Sequence, residues 1–166
     1  MKKKNKETKK KKQKVVKKLV PKAGLAIKNE FYLEASWILS TIIESKLRRI
    51  LTLMMNENPG LGFGLQKCLR RIKFLERKGA HPFLVKHFES RLIDELRAWA
   101  NHRNHVYKNL IDTHVSKARI KKMAEEGILL YQELNTVYKN FKKDWTREVV
   151  KVSSSEVGTN EPTIGK

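Results

Sequence analysis

Arg103 stands in a row of apolar residues. On a helix, Leu92, Leu96, Trp99, Arg103, Val106 and Leu110 share one face, at offsets of 0, 4, 7, 11, 14 and 18. The neighbouring row is Ile93, Arg97, Ala100, Asn104, Tyr107 and Ile111, again with polar members between apolar ones. A guanidinium leaves water at a cost unless it is paired or faces a polar cavity. Either these arginines carry their heads outward along the helix surface, or their face is a cleft or subunit interface that needs positive charge. Arg103 and Asn104 are consecutive and each breaks its own row, which favours the cleft.

Other chemistry-bearing groups carry less. His102 and His105 have a helical spacing open to metal ligation, but no third ligand stands at matching spacing, so no metal is assigned. Solvated or phosphate-facing histidines are the expectation. Glu34 and Glu44 fall near one helical face, and Glu44 has Arg48 four residues on as its ordinary partner. Gly60, Gly62 and Gly64 follow no strand and precede no Lys-Ser/Thr pair, so they mark a loop rather than a phosphate cradle. The lone cysteine, Cys68, excludes an intramolecular disulfide framework and a cysteine-based zinc site. No cofactor is expected.

The elements that position these residues are helices. Ala35, Ile38, Leu39, Ile42, Ile43, Leu47, Ile50, Leu51 and Met54 recur at spacings of three and four, and the helix must end near Asn56 to Gly60. A second helix carries Leu65, Cys68, Leu69, Ile72 and Leu75 inward and stops at Gly79. His81-Pro82 opens a third helical region, interrupted near Glu89-Ser90 and running to Ile111, with a turn at Asp112 to His114. A last helix has its stripe at Ile120, Met123, Ala124, Gly127, Leu130, Tyr131, Leu134, Tyr138, Phe141 and Trp145. Trp37, Trp99 and Trp145 are expected in the core rather than stacked on bases. No period-two alternation and no internal repeat is present. The expectation is an all-α fold, an antiparallel four- or five-helix bundle.

The charge has a location. Of 166 residues, 37 are Lys or Arg and 17 are Asp or Glu, for a net +20. Residues 1–22 hold twelve Lys and one Glu, or +11, leaving +9 for the rest. Like charges at this density repel, so residues 1–22, closed by Pro21 and Gly24, read as a disordered arm. Lys9, Lys10, Lys11 and Lys12 are its densest run and suit nucleic-acid phosphates, whose neutralisation releases counterions. Nucleic acid is favoured over anionic lipid because the helical part is basic too; Lys2 excludes N-myristoylation. Residues 23–150 form the bundle, and residues 151–166 read as a short disordered tail. No apolar run reaches a membrane span and no secretory signal follows Met1, so a cytoplasmic protein is expected. The final helix adds Lys117, Arg119, Lys121, Lys122, Lys139, Lys142, Lys143 and Arg147, either a solvated face or an extension of the basic surface.

The stretch from Leu92 to Lys108, read Leu-Ile-Asp-Glu-Leu-Arg-Ala-Trp-Ala-Asn-His-Arg-Asn-His-Val-Tyr-Lys, resembles the signature helix of HEPN proteins. Their motif is Arg, a polar residue such as Asn, three residues including an apolar one, then His. Arg103, Asn104 and Val106 match it, and Lys108 stands where the His is expected. The segment from Phe31 to Ser40, with Glu44, resembles the opening helix of such bundles. A second register, Arg97 with His102, has the Arg-to-His distance but Ala98 in place of the polar residue. The resemblance spans residues 30–145 in layout and about twenty positions in detail. It implies an all-α bundle, often a homodimer, and in active members metal-independent cleavage of RNA through the ribose 2′-OH. There Arg stabilises phosphate charge and His moves a proton. Lysine suits the first task better than the second.

Two functions follow as expectations. The first is an RNA-binding HEPN-like module with a degenerate nuclease motif, binding through Arg97, Arg103, Lys108 and the Lys9–Lys12 arm. The second is an active metal-independent endoribonuclease of toxin or defence type, with Arg103, Asn104, Lys108 and His102 as its catalytic set. A toxin of that type leaves room for an antitoxin partner, which the sequence does not identify. The lysine at position 108 favours the binding module.

Overall fold

A computed structural model of the chain describes residues 18–55, 63–79, 82–88, 90–112 and 114–155. The Lys9–Lys12 run, Gly60, Gly62 and the last eleven residues lie outside them. Among the described residues there are six helices and no strand. They are α1 over residues 18–28, α2 Tyr32–Met55, α3 Leu65–Arg77, α4 Pro82–His87, α5 Ser90–Asp112 and α6 Lys117–Ser155. The all-α bundle expected from the spacing is the fold.

The bounds drawn in the sequence at residues 22 and 150 both fall inside helices. α1 runs through Pro21 and Gly24, where the breakers suggest a stop. Pro21 sits in the first described turn, where its missing N–H removes no bond between described residues. Packing holds the segment helical: Ala23 is fully buried, Ala26 nearly so, and Leu19 and Val20 lie against the core. The turn into α2 places Glu30 at φ 63, with Phe31 N–H donating to the Ala26 carbonyl at 2.8 Å and Glu30 N–H to Ile27 at 3.1 Å. Gly79, at φ 58, ends α3 as its position in the sequence predicts.

α2 is the central element, with its apolar row at Leu39, Ile42, Ile43, Leu47, Ile50 and Leu51 out of water. It packs on α6 and α3, and α5 packs on α6 and α3 in turn. α5 runs opposite to each neighbour. Against α2, Tyr107 meets Leu33 and Arg103 meets Ser40; against α3, Asn101 meets Gln66; against α6, Trp99 meets Met123 and Arg91 meets Glu133. The short α4 is fastened to α6 by Phe88 edge-on to Phe141, ring centroids 5.8 Å apart, and by Asp144. That carboxylate takes a 2.7 Å bond from Lys86 and lies 2.9 Å from His87 Nε2, and the Lys86 and then the His87 bond hold its pKa down at about 2.

Trp99 locks α5 to α6. It is 3% exposed, and its Nε1 donates to the Met123 carbonyl at 2.8 Å. The indole lies directly on Gly127, where a Cβ would stand 2.6 Å from Trp99 Cζ2. A glycine inside a long helix costs about 1 kcal/mol against alanine; here it makes room for the largest side chain of the site helix. Gly127→Ala is therefore expected to lower the unfolding free energy by about 1–3 kcal/mol, because overpacking outweighs the gain in helix propensity. Urea unfolding followed by tryptophan fluorescence measures it, and a variant as stable as its parent contradicts this packing.

Candidate nucleic-acid interface

Serines on α2 make the first wall. Ser36 and Ser40 sit one turn apart in a helix otherwise buried by aliphatic side chains, and both are buried. Their hydroxyls give the long side chains of α5 oxygens to bond. The Tyr107 hydroxyl donates to the Leu33 carbonyl at 2.7 Å and lies 2.9 Å from Ser36 Oγ. One turn back along α5, Arg103 Nη1 donates to Ser40 Oγ.

Arg103 is half-buried between these groups. Its guanidinium stands 5.4 Å from the centre of the Tyr107 ring, a cation–π geometry. Burial lowers its pKa from the ordinary arginine value, while Tyr107 and then Glu44 act in the opposite sense. It stays charged, because arginine does not lose its proton in proteins. Its Nε is buried with no hydrogen-bond partner, and Arg103 makes no ion pair among the described residues. A fork of donors is thus left one bond short beside a cleft of about 400 Å3, lined by Ser40, Glu44, Leu65, Arg70, Arg103 and Asn104 among others.

The acid in this cleft is already engaged. Glu44 Oε1 pairs with Arg48 Nε at 2.9 Å, the pairing expected from the sequence. Its Oε2 accepts the Leu65 N–H at 3.0 Å. The N-cap position of α3 is Gly64, which has no side chain to do this, so Glu44 caps α3 from another helix. Lys67 and Arg70, both exposed, bring further positive charge to the cleft from α3.

The residues singled out in the sequence divide. Arg103 and Asn104 come together in the cleft, Asn104 exposed at its rim. Lys108 is exposed further along α5. Arg97 is exposed too, where its charge acts on Asp94. His102 turns the other way: its ring nitrogens lie 3.9 Å from Glu126 and 3.4 Å from Arg119 Nε, and it lines a separate groove of about 440 Å3 with Glu95, Glu126 and Glu133. Adjacent helical residues diverge by about 100°, and Arg103 and His102 accordingly serve opposite walls. His105 lies 2.9 Å from Asn109 on the exposed side. Among the described residues, no three His, Cys, Asp or Glu side chains gather to hold a metal ion.

Trp37 corrects the expectation that all three tryptophans are core. Trp99 is buried and Trp145 packs against the core, but Trp37 is 60% exposed. It lies off the apolar row of Ala35, Ile38, Leu39 and Ile42, and shares its helix face with Ser40 and Glu44 of the cleft wall. That offset was its signal. Ser36, Ser40 and Tyr107 were not singled out in the sequence, and neither was the capping role of Glu44. On α5, Leu110 continues the face of Arg103 and Tyr107 and remains 37% exposed.

No family model, no curated protein and no solved structure matches the chain.

Glu44 joins the cleft to the start of α3, so Glu44→Ala is expected to cost about 1–2 kcal/mol and to speed amide exchange in the first turn of α3. Glu44→Gln, which keeps an acceptor oxygen, is expected to restore most of that protection. Exchange unchanged in Glu44→Ala contradicts the cap.

Proposed function

We propose that this protein is an RNA-binding, HEPN-like helical module whose nuclease motif is degenerate. The observation that carries the reading is Arg103: a half-buried guanidinium with no carboxylate partner among the described residues, one donor unsatisfied, beside a cleft whose acid is spent on α3 and Arg48. A phosphodiester supplies the oxygens such a guanidinium lacks. The exposed Trp37, on the same face of α2 as Ser40 and Glu44, gives an unpaired base a surface to stack on. Asn104, Lys67 and Arg70 provide donors around it, and the Lys9–Lys12 arm adds sequence-independent attraction.

Binding is favoured over cleavage by the arrangement of proton carriers. His102, the histidine adjacent to Arg103, faces α6 and Glu126. Lys108, in the motif position of the histidine, is exposed. A homodimer belongs to the same proposal: Trp37 and Leu110 are apolar and exposed on the helix faces that carry Ser40 and Arg103, so a second copy against those faces would cover them and double the cationic surface. Among the described residues no helix is long and apolar enough to cross a membrane; we place the protein in the cytoplasm, with RNA as its partner.

Fluorescence anisotropy with a labelled single-stranded RNA tests the reading. Arg103→Ala is expected to weaken binding about tenfold or more, in line with roughly 1.5–3 kcal/mol for a charged hydrogen bond. Deleting residues 1–17 is expected to flatten the salt dependence while leaving the melting transition in place, since Leu19, Val20 and Ala23 stay docked. Equal affinity of Arg103→Ala and parent at moderate salt contradicts the cleft. RNA cleavage that persists in EDTA and vanishes in Arg103→Ala would replace binding with nuclease activity.

A further inference from the structure

A second cation is taken out of water on another face of α2. Lys46 occupies the buried row of Leu39, Ile43 and Ile50 and is only 7% exposed. Its Nζ donates to Asn135 Oδ1 at 2.8 Å and stands 4.7 Å from the Tyr138 ring centre and 5.6 Å from that of Tyr131. It makes no ion pair among the described residues. Burial first, then Arg49 and Lys139, push its pKa down to about 8.

Lys46 lines a cavity of about 620 Å3 between α2 and α6, in the size range of small-molecule sites. Arg49, Lys139, Lys142 and Lys143 line it as well, and no Asp or Glu is among its described lining residues. Tyr131, Tyr138 and Asn135 surround the ammonium, and Val20 of α1 and Thr146 line the wall as well. Lys46 is the cation here that leaves water, with no carboxylate beside it among the described residues, and a methionine at position 46 would fill the same row without the desolvation cost. An anion entering the cavity reverses that balance, and the low dielectric around Lys46 strengthens its contact with the ligand.

We propose that this cavity binds a compact oligophosphate, a small molecule carrying linked phosphate groups. The charge to be matched is concentrated on one cavity. A nucleic-acid strand spreads one negative charge per nucleotide and delivers a single phosphate to such a spot, whereas linked phosphates bring several charges at once. Lys46 with Arg49 and Lys139 would take the innermost phosphate, and Lys142 and Lys143 the outer ones. The site is separate from the Arg103 cleft and does not rest on the RNA-binding reading.

Isothermal titration of the full chain with sodium tripolyphosphate, at ionic strength held constant with chloride, tests it. The expected result is one site per chain, weakened at least tenfold by Lys46→Met and by Lys139→Glu, and left unchanged by Arg103→Ala. Lys139 is exposed, so its reversal reads the cavity even if Lys46→Met folds poorly. A mononucleoside triphosphate and an inositol polyphosphate, titrated beside tripolyphosphate, distinguish the sources of the phosphate cluster. Affinity unchanged in both cavity variants would mean diffuse attraction to the Lys-rich segment and overturns the proposal. Loss of single-stranded RNA binding in Lys46→Met as large as the loss of tripolyphosphate binding would assign the cavity to the RNA surface and overturns it too.

Discussion

A cation removed from water must recover its hydration energy from the protein, and this bundle recovers it from neutral oxygens and aromatic faces. Arg103 rests on the Ser40 hydroxyl and the Tyr107 ring. Lys46 rests on the Asn135 amide and two tyrosine rings. Neither makes an ion pair among the described residues, although the chain has 17 acids to offer. The acid in the cleft is committed elsewhere, Glu44 to Arg48 and to the start of α3. The outcome is two cations, Arg103 and Lys46, that face inward without an ion pair among the described residues.

The same arrangement explains why α2 carries serines where aliphatic residues would pack as well. Ser36 and Ser40 supply the oxygens that hold Tyr107 and Arg103. The spacing between α5 and α6 is set independently by Trp99 over Gly127. α5 is held by bonds to α2 on one side and to α6 on the other, with Arg103 facing Ser40 and His102, one residue earlier, facing Glu126. Fixing the helix separates the two side chains. That separation favours a protein that holds phosphate over one that moves protons at it.

Much of this is legible in the sequence because helical periodicity is a strong signal. The stripes of α2, α3 and α6, the stop at Gly79 and the interruption before Ser90 all follow from spacing and breaker residues. Arg103 and Asn104 are legible because each interrupts an apolar row. Lys46 interrupts the row of Leu39, Ile43 and Ile50 in the same way, so the criterion that found one cavity applies equally to the other. What is not legible depends on contacts distant in the chain: Glu44 capping Leu65, or serines that read as surface residues until α5 covers them. Trp37 misleads because residue type suggests burial, while its angular position on α2 dictates exposure. α1 passes through Pro21 because the docking of Leu19, Val20 and Ala23 outweighs local propensity.

The central claim is that RNA enters the α2–α3–α5 cleft and lies against Arg103. Photocross-linking of the full chain to a single-stranded RNA carrying 4-thiouridine, with the modified peptides mapped by mass spectrometry, reads this contact directly. RNA lying against Arg103 gives cross-links at Trp37 and in the peptides spanning residues 63–70 and 100–108, lost together in Arg103→Ala. Cross-links confined to residues 1–17, or unchanged in that variant, would contradict it.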